Sequence, residues 1–134
     1  MPTIQSRYLG DLRTEATHVA SQEKLITDAP TDNQGRGEAF SPTDTLCGAL
    51  GSCMMTIMGI AARTHGINLD GLHADITKFM VSDPRRISKI EIRFFGLIEA
   101  PDERQKVLLE RAARTCPVAL SIHPDIIQDV TFDF

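Results

Sequence analysis

The sequence has 134 residues with 14 basic and 18 acidic side chains, a formal net charge of -4. That balance argues against nucleic acid or an anionic membrane as the main partner, and the length suits one soluble domain over 1–134. Cys47, Cys53 and Cys116 form no CxxC pair and have no metal-like spacing, so they read as thiols in a reducing compartment, not as a disulfide framework or metal site.

The chain opens with two short stretches of strand composition, Ile4 to Leu9 and Arg13 to Val19, separated by the turn-forming Gly10-Asp11. A turn near Ser21-Gln22 leads to a third strand at Lys24 to Thr27, which completes an expected meander. Asp28 to Phe40 reads as a loop, punctuated by Pro30, Asn33, Gly35 and Gly37. No basic segment runs into an apolar one near residue 1, so a cytoplasmic location is expected.

Ser41 to Gly66 then predicts the element around which the rest is organised, a helix with no charge from Leu46 to Ala62. Ser41 or Thr43 can cap its start, Asp44 adds charge to the first turn, and His65-Gly66 makes a stop. Leu46, Leu50, Cys53, Ile57 and Ile60 share one stripe, yet Cys47, Ala49, Met54, Met55, Met58 and Ala61 fill the other faces. A helix apolar all round is buried all round, and a chain this short needs a second subunit to achieve that. Close approach by such a neighbour would also explain Gly48, Gly51 and Gly59, each costing about 1 kcal/mol of helix propensity. The uncharged run is nearly long enough to cross a bilayer, but Gly, Thr and Ser interrupt it and no other apolar stretch accompanies it, so no membrane is expected.

Leu72 to Val81 and Ile87 to Ile98 both alternate, and Asp83-Pro84-Arg85-Arg86 between them predicts a long antiparallel hairpin. Ile90, Ile92 and Phe94 define its inner face, and Lys78 is the exception on the facing strand. Pro101-Asp102-Glu103 opens a second helix that ends before Cys116-Pro117. Val118 to Ile122 suits a short helical turn, and Ile127 to Phe134 a terminal strand.

No nucleophile elbow, phosphate-binding glycine loop or HExxH pattern is present, and the four histidines stand singly. No cofactor is expected. Cys47, in the first turn of the long helix, would gain most from the helix dipole; Cys53, about two turns deeper, would need another positive group to become reactive. Arg36, between Gly35 and Gly37, is either a solvated loop arginine or one presented to a buried acid or thiolate.

The run SPTDTLCGALGSCMMT from Ser41 to Thr56, followed by CPV at Cys116 to Val118, resembles the osmotically inducible protein C and organic hydroperoxide resistance family. Ser41-Pro42, Gly51-Ser52-Cys53 and Cys116-Pro117 each match a family landmark. The resemblance implies an α+β, OsmC-like fold in which antiparallel sheets wrap a buried central helix, and an intertwined homodimer. It implies that Cys53 is a peroxidatic cysteine attacking an organic hydroperoxide, and that Cys116 resolves the sulfenic acid into a disulfide reduced by an external dithiol. It further implies an amino-terminal arginine that stabilises the thiolate, with Arg36 the best match and Arg13 the understudy, and it leaves Cys47 as a packing residue.

Many family members carry a glutamate directly after the proline, where this chain has Thr43 followed by Asp44. At about 100 degrees per residue, position 43 is roughly 80 degrees from Cys53 around the helix axis and position 44 is roughly opposite it. Asp44 is therefore the candidate anchor for the arginine only if the first turn is irregular; otherwise it caps the helix or bonds across the dimer. The alternative to peroxidase chemistry is the same dimeric fold holding a small apolar or acyl ligand near Met54, Met58 and phenylalanines.

Overall fold

The structure is a computed structural model that describes residues 1–134. The chain forms two compact units, Met1–Leu46 and Cys47–Phe134, and their boundary falls inside one continuous helix, α1 (Pro42–His65).

The first unit is an antiparallel meander of β1 (Ile4–Gly10), β2 (Arg13–His18) and β3 (Lys24–Asp28). Asp11 and Leu12 link β1 to β2 with φ of 52° and 64°, the positive pair that a two-residue hairpin turn needs to match strand twist. The second hairpin sets Arg13 opposite Asp28 and Thr17 opposite Lys24. Alternation along these registers sends Ile4, Tyr8, Ala16 and Leu25 to one face and Arg7, Glu15 and Lys24 to the other. The charged face is tied by Glu15, which accepts from Arg7 at 3.1 Å and lies 3.5 Å from Lys24. Ile4, Tyr8 and Leu25 on the first face are exposed, and the buried residues of this unit are Thr27, Asp28 and Ser41, all polar.

The Asp28–Phe40 loop closes on itself. The Asp28 amide donates to Phe40 O, the Gly37 amide donates to Ala29 O, and a Cβ at Gly35 would sit 1.7 Å from Ala29 O. It delivers the chain to Ser41, where α1 begins with a reciprocal cap. Ser41 Oγ accepts from the Asp44 amide, and Asp44 Oδ2 accepts from the Ser41 amide, each at 3.0 Å.

The second unit holds the apolar core. β4 (His73–Val81) and β5 (Arg86–Phe95) form the expected hairpin, and β6 (Ile127–Asp133) joins β5 in parallel, giving the order β4-β5-β6. This parallel pairing departs from purely antiparallel sheets; α2 (Glu103–Arg114) and α3 (Pro117–Ser121) occur in the connection between β5 and β6. A bulge lets Ile87 join Ile90, Ile92 and Phe94 in the core although its spacing is out of phase: Phe79 pairs with Lys89 but Met80 with Ile87, and the extra residue, Ser88, donates its hydroxyl to Phe79 O. Phe94 stacks on Phe132 with centroids 5.4 Å apart, and Leu109 and Ala113 of α2 are fully buried in the same cluster. α2 opens on a capping box between Asp102 and Gln105, close to its expected start.

The expectation for α1 requires correction. Within one chain its buried stripe is Cys47, Leu50, Gly51, Met54, Met58 and Ala62, whereas Leu46 and Ile60 of the expected stripe are 37% and 57% exposed. Of the three glycines only Gly51 meets a close neighbour: a Cβ there would lie 2.4 Å from Ile76 Cδ1, while nothing stands within 4 Å of Gly48 or Gly59. By length and composition α1 could cross a membrane, but its buried stripe belongs to the core, as befits the central helix of a soluble domain.

Candidate functional site

Cys53 lies in the middle of α1, where every backbone amide is already committed to helix bonds and the terminal dipole has faded. Cys116 is the residue at which α2 has ended and α3 begins. It caps α3 with Pro117 in the next position, and its Sγ accepts the Ala119 amide at 3.4 Å. The core of the second unit brings these two cysteines together. Cys116 is fully buried, Cys53 is half-buried, and the two thiols are close enough for one to influence the proton affinity of the other. Burial pushes the Cys116 pKa up; the Ala119 amide pulls against that rise, and the Cys53 contact adds to it. Burial therefore favours Cys116 as a neutral thiol. Cys47 is buried on the core stripe of α1.

The candidates in the first unit have other partners. Arg36 reaches out to Asp11, Nη2 to Oδ2 at 2.8 Å, and both side chains are largely exposed. Asp44 serves the helix cap. Arg13 instead forms a two-pronged bond with Asp28: Nε to Oδ1 at 2.7 Å and Nη2 to Oδ2 at 2.8 Å, with Glu38 Oε1 3.6 Å away. Asp28 is 1% exposed, and its Oδ2 also accepts the Glu38 amide at 3.2 Å. Hydrogen bonding to Arg13 holds the Asp28 carboxyl below the usual carboxylate range despite desolvation, and Arg36 contributes only a weaker charge effect.

Asp28 is the residue that sequence reasoning missed. The signal was present: centring the second hairpin just before Ser21 pairs 13 with 28, which sets an arginine opposite an aspartate. No group of three or more His, Cys, Asp or Glu side chains could hold a metal ion.

A family model described as OsmC-like protein matches residues 35–130. The chain belongs to this family. Among solved structures, this OsmC-like chain is similar to a Psychrobacter arcticus protein assigned to osmotic stress induction and detoxification response, with 50% identity, a TM-score of 0.95, and coverage of 99% of this chain and 96% of the other. It also shares its fold with an organic hydroperoxide resistance protein OsmC from Legionella pneumophila (13% identity, TM-score 0.74, covering 100% and 98%). An OsmC-like protein from Mycoplasma pneumoniae superposes with a TM-score of 0.76 at 16% identity, covering 97% and 94%. No curated protein matches the sequence.

Proposed function

We propose that residues 1–134 act as one cytoplasmic OsmC-like domain, a homodimer that reduces organic hydroperoxides at the expense of an external dithiol. The observation that supports this reading is the pair of thiols, Cys53 and Cys116, which interact with each other at an apolar core. In the first step the Cys53 thiolate attacks the distal oxygen of ROOH. The O–O bond breaks, the alkoxide takes a proton to leave as ROH, and Cys53 becomes a sulfenic acid. Cys116 sulfur then attacks the Cys53 sulfur; water leaves with the Cys116 proton, and a disulfide joins the two residues. A dithiol reduces this disulfide by exchange and is itself oxidised. Cys116, kept neutral by burial, donates to the Cys53 thiolate before the reaction and reaches its sulfur after it. An arginine of the first unit, Arg36 or Arg13, supplies positive charge to the thiolate.

Three features support the dimer: α1 has one buried stripe but apolar residues on every side, the first unit exposes Ile4, Tyr8 and Leu25 on one face, and that unit buries no apolar side chain. A 46-residue unit without an apolar core does not fold alone, so its boundary inside α1 is read as a division within one domain.

The test is consumption of an organic hydroperoxide with a supplied dithiol, followed by intact mass. Cys53→Ser is expected to abolish turnover, and Cys116→Ser to accumulate sulfenic or overoxidised Cys53 in place of a Cys53–Cys116 disulfide. Absence of both turnover and peroxide-induced mass change, across several hydroperoxides and dithiols, refutes the peroxidase reading.

A further inference from the structure

The reductive half of the cycle offers two sulfurs to an incoming thiolate, and the second unit treats them unequally. A thiolate attacks a disulfide in line with the S–S axis, from behind the sulfur it bonds, so access to that side selects the sulfur. Cys116 is 0% exposed, and the backbone holds it on both sides. Its amide donates to Ala113 O at 3.4 Å, its carbonyl accepts the Leu120 amide at 3.1 Å, and Pro117 follows directly. Gln128 Nε2 donates to Ala119 O at 2.9 Å, which ties α3 to β6. Reaching Cys116 sulfur from behind therefore requires the junction of α2 and α3 to open. Cys53 is only half-buried, and a hydroperoxide must reach its sulfur in the first step. The opening that admits one reactant serves the other.

Leaving-group acidity pulls the opposite way. Burial raises the Cys116 pKa, and a thiol of higher pKa leaves more slowly. That penalty is partly offset within α3: the Ala119 amide donates to Cys116 Sγ at 3.4 Å, a bond that strengthens as charge grows on sulfur, and the Val118 amide acts in the same sense. An electronic penalty only slows departure, whereas a sulfur enclosed on every side admits no nucleophile. Access decides.

We propose that the external dithiol attacks the Cys53 sulfur and that Cys116 is the leaving group, so that the mixed disulfide of the reductive step is carried by Cys53. One thiolate of the dithiol bonds to Cys53 Sγ, the Cys53–Cys116 bond breaks, and its electron pair stays on Cys116 sulfur, which takes up a proton. The second thiolate of the dithiol then attacks the dithiol sulfur already bonded to Cys53. Cys53 leaves as a thiolate, ready for the next hydroperoxide, and the dithiol departs oxidised, as a cyclic disulfide. This rests on the peroxidase reading for the origin of the disulfide but is measured without peroxide.

In the experiment the full-length protein is oxidised with diamide, and the Cys53–Cys116 disulfide is verified by peptide mass. Excess mercaptoethanol is the probe, a single thiol that cannot release itself by ring closure. The reaction is quenched in acid at early times and digested with pepsin at low pH, so that peptide mass locates the adduct. Adduct on Cys53 is expected to exceed adduct on Cys116 by roughly tenfold or more, and the same disulfide unfolded in guanidinium is expected to lose that preference. Adduct mainly on Cys116, an even split in the folded protein, a preference that survives unfolding, or a folded disulfide inert to the probe each overturns the proposal. If diamide forms no Cys53–Cys116 disulfide, the proposal and the two-cysteine cycle fall together. Peroxide turnover is scored separately. Turnover with adduct on Cys116 removes the proposal and leaves the peroxidase reading; adduct on Cys53 without turnover does the reverse.

Discussion

Gly51 offers a test of the contact that seats α1 on the β4-β5-β6 sheet. An alanine there gains about 1 kcal/mol of helix propensity, but its Cβ would stand 2.4 Å from Ile76 Cδ1 and 3.3 Å from Cγ1. Carbon atoms prefer about 3.5–4.0 Å, so Cδ1 must retreat by more than about 1 Å. Overpacking of this kind costs about 1–3 kcal/mol, and the lower half of that range applies because Ile76 is 37% exposed and its terminal methyl can swing outward. Gly51→Ala is therefore expected to leave stability unchanged or lower it by about 1 kcal/mol. Ile76→Val removes the offending methyl while keeping a β-branched residue in the strand. In that background the same alanine is expected to stabilise by about 0.5–1 kcal/mol. The coupling between the two substitutions is then about 0.5–2 kcal/mol, measured from urea unfolding of all four proteins by circular dichroism, or as a difference of roughly 2–8 °C in midpoint temperature. Additivity within about 0.3 kcal/mol would refute the claim that this helix is glycine at 51 because of Ile76.

Further expectations follow from the ionisable groups and from the flank of α1. The Asp28 carboxyl titrates below its ordinary value in the folded state, so it contributes stability that is fully present above about pH 4 and is lost as pH falls through the lower folded value. Asp28→Asn is expected to flatten acid unfolding in that window, and an unchanged acid limb would show that the carboxylate contributes nothing there. Cys116 has the opposite sign. Its raised pKa keeps the folded thiol neutral while the unfolded one ionises, so stability falls as pH rises above about 8.5, and Cys116→Ser is expected to lessen that alkaline slope. Gly59→Ala meets nothing within the chain, yet the proposed partner covers that flank, so the variant is expected to weaken self-association in sedimentation equilibrium. A stability gain of about 1 kcal/mol with association intact would instead place Gly59 in water.

Legibility in the sequence followed the range of the interaction. The opening of α2 was readable because Asp102 and Gln105 complete a cap within four residues, and the β4-β5 hairpin because its alternation and turn are local. Ser88 was not, since a bulge shows only when two strands are aligned against each other. The parallel direction of β6 was hidden for the same reason: alternation in Val130, Phe132 and Phe134 carries no sense of direction. The buried stripe of α1 was misread because a helix apolar on every side has no phase; Leu46, Ile57 and Ile60 obey the spacing as well as Cys47, Leu50, Met54 and Met58 do. In the site, Cys53 and Cys116 were singled out by family resemblance, and in the second unit Cys53 is near enough to raise the proton affinity of Cys116. Arg13 and Asp28 required a register.

The misread stripe and the uncovered sheet face make one argument. Had α1 been designed to be covered by this chain alone, the side bearing Leu46 and Ile60 would carry the lysines and glutamates that a surface helix shows, as α2 does at Glu103, Arg104, Arg111 and Arg114. Had the first unit been designed to stand in water, Ile4, Tyr8 and Leu25 would not share a face while its deepest position goes to a carboxylate. Apolar residues left over in two places, one on a helix and one on a sheet, imply missing cover. A second copy presents a sheet face of the kind the helix lacks and a helix flank of the kind the sheet lacks. Two copies can therefore complete in each other what one leaves exposed. On this reasoning a substitution on either surface, Ile60→Lys or Tyr8→Lys, should disturb the same association equilibrium.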